Sequence, residues 1–557
     1  MVNCVKETAH SLASTLAAYG VTDIFSSPGS RNAPLIIAFA RHQELTVRPV
    51  VDERSAAFIA LGHALVSRRP AALVCTSGTA LLNYAPAIAE AYYRKVALIV
   101  ISADRPAEWI GQDDSQTMAQ PGALGNIVKA SYTLRGEISG DRDRWMTNRV
   151  LNEALQTALT RRPGPVHINV SFDEPLTSET VELPRPGFRK IDLMLPPRRL
   201  AVEDARRLAS EATNREVLVV GGFCPPSSAL NRAFSKIAPL PGVVVVADAL
   251  ANLNVLGILS RPDLMLDSEL LRKPSSRPSL LITFGGGLLS KKLKEYLRRA
   301  EIAEHWHVGE NDSLIDSYFS LTRRIEISED EFFPRFANAM EYLARGREPG
   351  MGEFKSLWHE AAFRCEESQA ARQLTGDSAK WSDRSAILTL LSSLPREWNL
   401  QLSNGLTPRY AVIGDACRFH RRDCNRGVSG IDGSVSTALG ASLAYKGTTV
   451  LLTGDTSMQY DIAALSSDLL SPRLKIVVIN NGGGGIFRKI ASTRALPELE
   501  RYFACDLRLP LASLAEAYGL AYFKASSADE LARSLTGFIS TADRPALLEI
   551  QTATTKG

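Results

Sequence analysis

Short apolar runs, each closed by Gly, Ser, Asp or Pro, recur through the first 175 residues: VTDIFSS, LTVRPVV, AALVCTS, VALIVIS and PVHINVSF. Helically patterned segments separate them. Strands that are apolar on both faces and joined by helices predict a parallel α/β sheet covered on each side. Ligands of such sheets bind beyond the carboxyl ends of the strands. The pattern breaks in EPLTSETVELPRPGFRKIDLMLPPRRL, where serial prolines stiffen an extended chain and block helix. A second α/β region follows, with strands EVLVVGG, GVVVVADA, SLLITFGGG and EHWHVGE, and then a polar helical segment from Glu331 to about Lys380. The third region carries LQLSNG, TTVLLTGD, LKIVVINN and ALLEIQT.

The third region echoes the first. ALGHALVSRRPAALVCTSG from Ala60 and ALGASLAYKGTTVLLTGD from Ala438 share a helix, a turn, a strand and a polar strand end. VALIVISAD and LKIVVINNG then follow in matching places. The expected architecture is α/β, with three domains of parallel sheets flanked by helices, the first and third duplicated in plan. The expected boundaries are 1–180, a linker at 181–200, a central domain at 201–345 and a last domain at 346–557.

Composition narrows the partners. A net charge of +4 spread over 557 residues gives no reason to invoke nucleic acid or an anionic membrane. Seven scattered cysteines without a C-x-x-C pair fit a reducing compartment. The start, MVNCVKETAHSLASTLAAYG, sets Lys6, Glu7 and His10 among its apolar positions, which predicts an amphipathic helix and not a secretory signal. No run approaches the roughly 18 apolar residues of a membrane span. The expectation is a soluble, cytoplasmic protein without a membrane span.

The chemistry concentrates at 454–483. Gly454-Asp455 closes one strand and Asn480-Asn481 closes the next, which brings an acid and an amide side by side. Hard oxygen donors of this kind suit Mg²⁺, which completes its shell with water and phosphate oxygens. The glycines at 482–485 let a ligand approach the backbone. Asp52-Glu53-Arg54 closes VRPVV in the first region. The His-Trp-His of 305–307, an i, i+2 pair on a strand, reads as structural and not as a metal site.

Gly-Asp…Asn-Asn, Asp-Glu-Arg and CNRGVSGIDG (424–433) together resemble the thiamine-diphosphate enzyme superfamily. The resemblance implies that Asp455, Asn481 and the Gly483 carbonyl bind Mg²⁺, with Mn²⁺ able to substitute, and that Ser457 is among the cofactor-binding residues. It implies that Ile431 is the apolar wedge that bends the cofactor, and that Glu53 hydrogen-bonds its aminopyrimidine ring as the catalytic carboxylate. The domains then become pyrimidine-binding (1–180), central (201–345) and diphosphate-binding (346–557). Thr456 departs from the glycine usual after the motif Asp.

SSPGSRNAPL (26–35), SADRPAE (102–108), SQTMAQPG (115–122), SKKL (290–293) and SNGLTPR (403–409) narrow the resemblance to a synthase family of menaquinone biosynthesis. That family implies a transferase that decarboxylates 2-oxoglutarate and adds the succinyl carbanion to isochorismate. It also implies a homodimer or homotetramer with active sites shared between subunits, Glu53 coming from one and Asp455 from another. Both substrates are dicarboxylates, and arginine forks recognise carboxylates. Arg31, Arg105, Arg409, Arg426, Lys291 and Lys292 all fall at predicted strand ends or loops. By likeness to the family, Ser30, Arg31, Arg105, Gln116, Lys291 and Lys292 face isochorismate. Arg409 holds the distal carboxylate of 2-oxoglutarate, with Arg426 nearby. Gly405 stands where the family commonly has Ser, and Ser403 or Thr407 are the candidates to replace the missing hydroxyl. Lys292 stands for a frequent Arg and Ser115 for a frequent Asn. The alternative is another thiamine-diphosphate 2-oxoacid carboligase of the acetohydroxyacid-synthase kind. A dinucleotide oxidoreductase lacks support, since GGF and GGG do not form G-x-G-x-x-G.

Overall fold

A computed structural model describes residues 3–180, 188–310, 313–345, 352–374, 381–414 and 416–552. The first domain opens with the two-residue strand β1 (Asn3–Cys4) and the helix Glu7–Ala18. Its sheet is built from β2 (Asp23–Ser26), β3 (Thr46–Pro49), β4 (Ala71–Cys75), β5 (Leu98–Asp104), β6 (Ser131–Arg135) and β7 (Val166–Ser171). These strands are all parallel, in the order β3-β2-β4-β5-β7-β6. Strand β8 (Glu179–Thr180) returns antiparallel to β1.

The central sheet holds β9 (Val217–Gly221), β10 (Val243–Ala247), β11 (Leu280–Phe284), β12 (His305–Val308) and β13 (Arg323–Ile325), in the parallel order β10-β9-β11-β12-β13. The third sheet holds β14 (Asn399–Leu402), β15 (Arg421–Cys424), β16 (Thr449–Gly454), β17 (Leu474–Asn480), β18 (Ala521–Ala525) and β19 (Ala546–Gln551). Its order is β15-β14-β16-β17-β19-β18, again all parallel. The first and third sheets therefore wind identically. The continuous apolar runs have the expected cause, since every residue of β4, β5 and β10 is buried between helical layers.

Packing divides the chain differently from the expected boundary at 345/346. The helix Glu353–Leu374 buries Phe354, Trp358 and Ala361 among Leu218, Val244 and Leu281 of the central sheet. Trp358 donates to the Ser276 carbonyl, and Lys355 to those of Ala238 and Leu240. Apolar side chains at three- and four-residue spacing tie this helix to the central domain. The polar segment expected from Glu331 to Lys380 is two helices, Glu329–Ala344 and Glu353–Leu374. Residues 346–351 and 375–380 lie outside the described residues, as do 181–187 of the expected linker. Residues 188–200 carry no helix or strand, and the next helix begins at Val202. Among the described residues no helix is long and apolar enough to cross a membrane.

The first and third domains meet through the helices Glu53–Ser67 and Ser434–Ala444. A Cβ on Gly62 would lie 2.0 Å from the Thr437 carbonyl oxygen, and one on Gly440 would lie 1.9 Å from that of Ile59. A Cβ on Gly433 would strike the Phe58 ring. Matched glycines thus let two backbones touch. Gly440→Ala is expected to cost about 1–3 kcal/mol by overpacking, read as a lower denaturant midpoint. Gly125→Ala, which meets open space, should leave the midpoint in place; equal midpoints in both variants would mean the helices are not in backbone contact.

Candidate active site

Four neighbouring strands of the third sheet deliver the polar groups. Asp455 follows β16 and is 2% exposed. Its Oδ2 accepts hydrogen bonds from the backbone N–H groups of Asn481 (3.2 Å), Gly482 (2.9 Å) and Gly483 (2.9 Å) beyond β17. Oδ1 accepts from Thr456 N at 2.7 Å. Burial pushes the carboxyl above the ordinary carboxylate range, and the amides of Gly483, Thr456 and Gly482 pull it back. Gly483 has φ +133°, and a Cβ there would lie 2.6 Å from the Ala504 and Cys505 carbonyls, so only glycine fits. Asn481 donates from its Nδ2 to Asp383 at 2.8 Å, while its Oδ1 is buried without a hydrogen-bond partner among the described residues. An orphaned amide oxygen beside a buried acid is the hard-oxygen donor set that Mg²⁺ requires, so these residues fit a divalent cation.

The loop that carries Ile431 lies alongside. Ile431 gives its carbonyl to Ser457 Oγ at 2.9 Å, and that hydroxyl also lies 3.1 Å from Ser434 Oγ. Ser457 therefore ties the Asp455 helix to the Ile431 loop. Asn404, beyond β14, donates to the Asn425 and Gly430 carbonyls at 2.6 and 2.7 Å, and Arg426 donates to Asn404 Oδ1 at 3.0 Å.

Glu53 opens its helix, half-buried, after Asp52 caps it by accepting from Ser55 N. Cys75 and Tyr84 are buried nearby; burial and then the Glu53 charge push the Cys75 thiol up, and burial and then Cys75, with Glu53 a smaller cause, push the Tyr84 hydroxyl up. Arg54 reaches the Tyr460 carbonyl at 2.7 Å. Arg54 at the start of Glu53's helix thus reaches the last residue of the Asp455 helix of the same chain.

The expected substrate residues separate into two groups. Arg31 is buried, donates to the Phe172 carbonyl at 3.0 Å and lies 3.3 Å from Glu174. Ser30 beside it is exposed. Arg105 pairs with Asp114 at 2.7 Å. Gln116 is exposed, with φ +54°, and its backbone lies over Gly78. Lys291 lies 3.8 Å from Glu295, and Lys292 pairs with Asp267. Arg409 is exposed on the helix Thr407–Ile413, and neither it nor Arg426 has a carboxylate partner among the described residues.

Two expectations change here. The Ser403 and Thr407 hydroxyls lie 3.3 Å apart, and Thr407 donates to the Ser403 carbonyl, so neither is free to replace a hydroxyl at 405. Gly405 has φ +114°, a conformation that disfavours any side chain, so a serine at this position would be strained. The paired histidines of β12 share Thr283 Oγ1, at 2.8 Å from His305 and 2.9 Å from His307. That is the expected structural role.

Residues 6–123 match the family model of the thiamine pyrophosphate enzyme N-terminal TPP binding domain. Residues 196–400 match the middle domain of thiamine pyrophosphate enzymes, and 415–550 the C-terminal TPP binding domain. The chain is 39% identical over 540 residues to the 2-succinyl-5-enolpyruvyl-6-hydroxy-3-cyclohexene-1-carboxylate synthase of Porphyromonas gingivalis, covering 96% of this chain and 92% of that protein. The synthases of the same name from Cytophaga hutchinsonii and Flavobacterium johnsoniae are 36% and 34% identical, over 97% and 98% of this chain and 94% and 96% of theirs. The chain belongs to this synthase family of thiamine-diphosphate enzymes.

Several supports of the synthase site carried no motif. Glu90, 1% exposed, accepts the N–H groups of Gly427 and Val428, each at 2.7 Å, and so fixes the backbone between Arg426 and Ile431. Arg94 lies over the Phe223 ring of the central domain at 3.8 Å, donates to the Cys424 carbonyl and lies 3.8 Å from Asp423. Three domains meet at that guanidinium. On the central helix Lys291–Arg299, Lys294 lies within reach of the Arg426 charge; burial first, then Arg426, lower its pKa. Only an alternation of polar and apolar residues marks these positions in the sequence.

Asp461 joins the two halves of the site. Its oxygens accept from Ser436 N at 2.6 Å and Ser436 Oγ at 2.8 Å, at the start of the helix that packs on Glu53's. Burial raises its carboxyl to about 7, with the Ser436 hydrogen bonds and Arg54 opposing and Asp52 adding to the rise. Between the ordinary carboxylate range and about pH 7 the folded chain holds a proton that the unfolded chain releases. Its contribution to stability is complete below that window and is lost as pH rises through about 7. Asp461→Asn should flatten this part of the stability-pH curve, measured by denaturant midpoint; a curve that keeps the wild-type slope would assign it to other groups.

Proposed function

We propose that this chain uses thiamine diphosphate and Mg²⁺, with Mn²⁺ able to substitute, to decarboxylate 2-oxoglutarate and add the succinyl unit to isochorismate in the cytoplasm. That reaction yields the product for which its relatives are named. The observation that carries the proposal is the unpartnered Asn481 oxygen beside the amide-cradled Asp455. When bound, thiamine diphosphate supplies the carbanion-stabilising chemistry, and the chain supplies binding, orientation and charge. Asp455, Asn481 Oδ1 and the Gly483 carbonyl would hold the metal and through it the diphosphate. Ile431 would keep the cofactor's rings bent, and Glu53 would share a proton with a pyrimidine nitrogen. Ser457 would bind the cofactor, and it also holds the Ile431 carbonyl. Arg409, with Arg426 near it, would take the distal carboxylate of 2-oxoglutarate. Ser30, Arg31, Arg105, Gln116, Lys291 and Lys292 would face isochorismate.

Assembly as a homodimer or homotetramer with shared sites is part of the proposal. Val51 and Tyr460, 78% and 53% exposed, flank the start of Glu53's helix, and an apolar edge of this kind is suited to cover by a second copy. Asp455→Ala should abolish thiamine-diphosphate binding in calorimetry, because the diphosphate loses its metal bridge. Glu53→Gln should still bind the cofactor but slow exchange of its C2 proton by orders of magnitude. Mixed under exchange conditions, the two variants should regain partial activity. Mixed oligomers that stay inactive would mean that one chain completes each site.

Substrate choice is tested at Arg409. A hydrogen bond to a charged group contributes about 1.5–3 kcal/mol, so Arg409→Ala should raise the KM for 2-oxoglutarate roughly ten- to a hundredfold. Isochorismate affinity should hardly change. Arg31→Ala should spare decarboxylation and block capture of isochorismate. The reverse pattern would exchange the two carboxylate assignments, and a preference for pyruvate would favour an acetohydroxyacid-synthase-like activity.

A further inference from the structure

An asparagine side chain can ligate a metal only through its oxygen, and the amide can be turned either way about its last torsion. The orientation of Asn481 is not left to chance. Its Nδ2 donates to Asp383 Oδ2 at 2.8 Å. An ionised carboxylate only accepts hydrogen bonds, so the NH₂ end must face Asp383 and the oxygen must face away from it. There Oδ1 is buried and has no partner. The turned amide would set oxygen against carboxylate and leave two N–H groups where a cation's ligand should be. Both contacts are repulsive.

Asp383 is itself held on two sides. It is the first residue of the helix Asp383–Ser393, whose start is fixed by reciprocal hydrogen bonds between Ser382 and Ser385. Its second oxygen accepts the hydroxyl of Thr552, just beyond β19. A helix start, the end of β17 and the end of β19 therefore converge on one carboxylate.

We propose that Asp383 is a positioning residue for the divalent metal, holding the Asn481 amide with its oxygen forward. The proposal rests on the assignment of Asn481 as a metal ligand. Asp383 does not touch the metal; it acts by orientation, and not by adding negative charge to the site.

The test is calorimetric titration of Mg²⁺ into the full-length apoprotein with thiamine diphosphate present. Asn481→Ala serves as the reference variant. Asp383→Ala removes the anchor and is expected to raise the Mg²⁺ Kd by about ten- to a hundredfold, the usual effect of losing a group that orients a metal ligand. In Asp383→Asn the side-chain oxygen still accepts from Asn481, and its NH₂ can donate to Thr552. Its Kd should stay within about fivefold of wild type, the gap between a charged and a neutral acceptor. Thr552→Val, which loosens Asp383 without touching Asn481, should shift the Kd in the same direction by less, and it carries the test if Asp383→Ala does not fold. Equal losses in Asp383→Ala and Asp383→Asn would make the effect one of charge and overturn the proposal. So would wild-type Mg²⁺ affinity in both Asp383→Ala and Thr552→Val. An unchanged Kd in Asn481→Ala would instead remove the metal assignment on which the proposal rests.

Discussion

Everything at the site depends on two helices touching without side chains between them. Gly62 and Gly440 occupy the same place in the duplicated segments ALGHAL and ALGASL, and each sits where the other copy's backbone carbonyl passes. Close backbone approach is a recurrent use of glycine, and its cost in helix propensity, about 1 kcal/mol each, is offset by the buried apolar contact on both sides. Here that contact is Ala57, Phe58 and Leu61 against Val435, Ala438 and Leu439, inside one core cluster. The contact sets Phe58 against Gly433 and lets Arg54 reach the Tyr460 carbonyl, so the start of Glu53's helix is held to the third domain of its own chain.

The sequence was most legible where structure is local. Asp455 and Asn481 could be placed side by side because a strand, a helix and a parallel strand leave little freedom in where the two strand ends lie. The wholly apolar strands and the repeated segment likewise announced the fold and its duplication. What stayed hidden depends on partners far along the chain. In AIAEAYYRK the acid and the arginine look like a solvated face, yet Glu90 and Arg94 are buried because residues 424–428 supply amides and a carbonyl for them. The helix Glu353–Leu374 looked like the opening of the last domain, but the indole of Trp358 finds its cavity and its hydrogen-bond acceptor in the central one. Gly405 was read as a missing hydroxyl, and its backbone conformation has no signature in the residues around it.

The supports around the metal donors have a common logic. Asp455, Asn481 and the Ile431 loop are each fixed by neighbouring polar groups. Backbone amides hold Asp455, Asp383 holds the far end of Asn481, and Ser457 and Asn404 hold the carbonyls of Ile431 and Gly430. Polar groups this deep are costly when unsatisfied. An amide oxygen left without a partner among these held groups therefore points to an external partner for that atom.

The cations divide in a way that bears on how two dicarboxylates could share one pocket. Arg31 and Arg105 already have Glu174 and Asp114 beside them, so an incoming carboxylate must displace an existing anion and gains only the difference. Arg409 and Arg426 face no such competition among the described residues, and Lys294 adds a further positive charge near Arg426. An anion approaching the third domain is thus attracted at once, whereas one approaching the first is accepted only if its geometry improves on the acids already there.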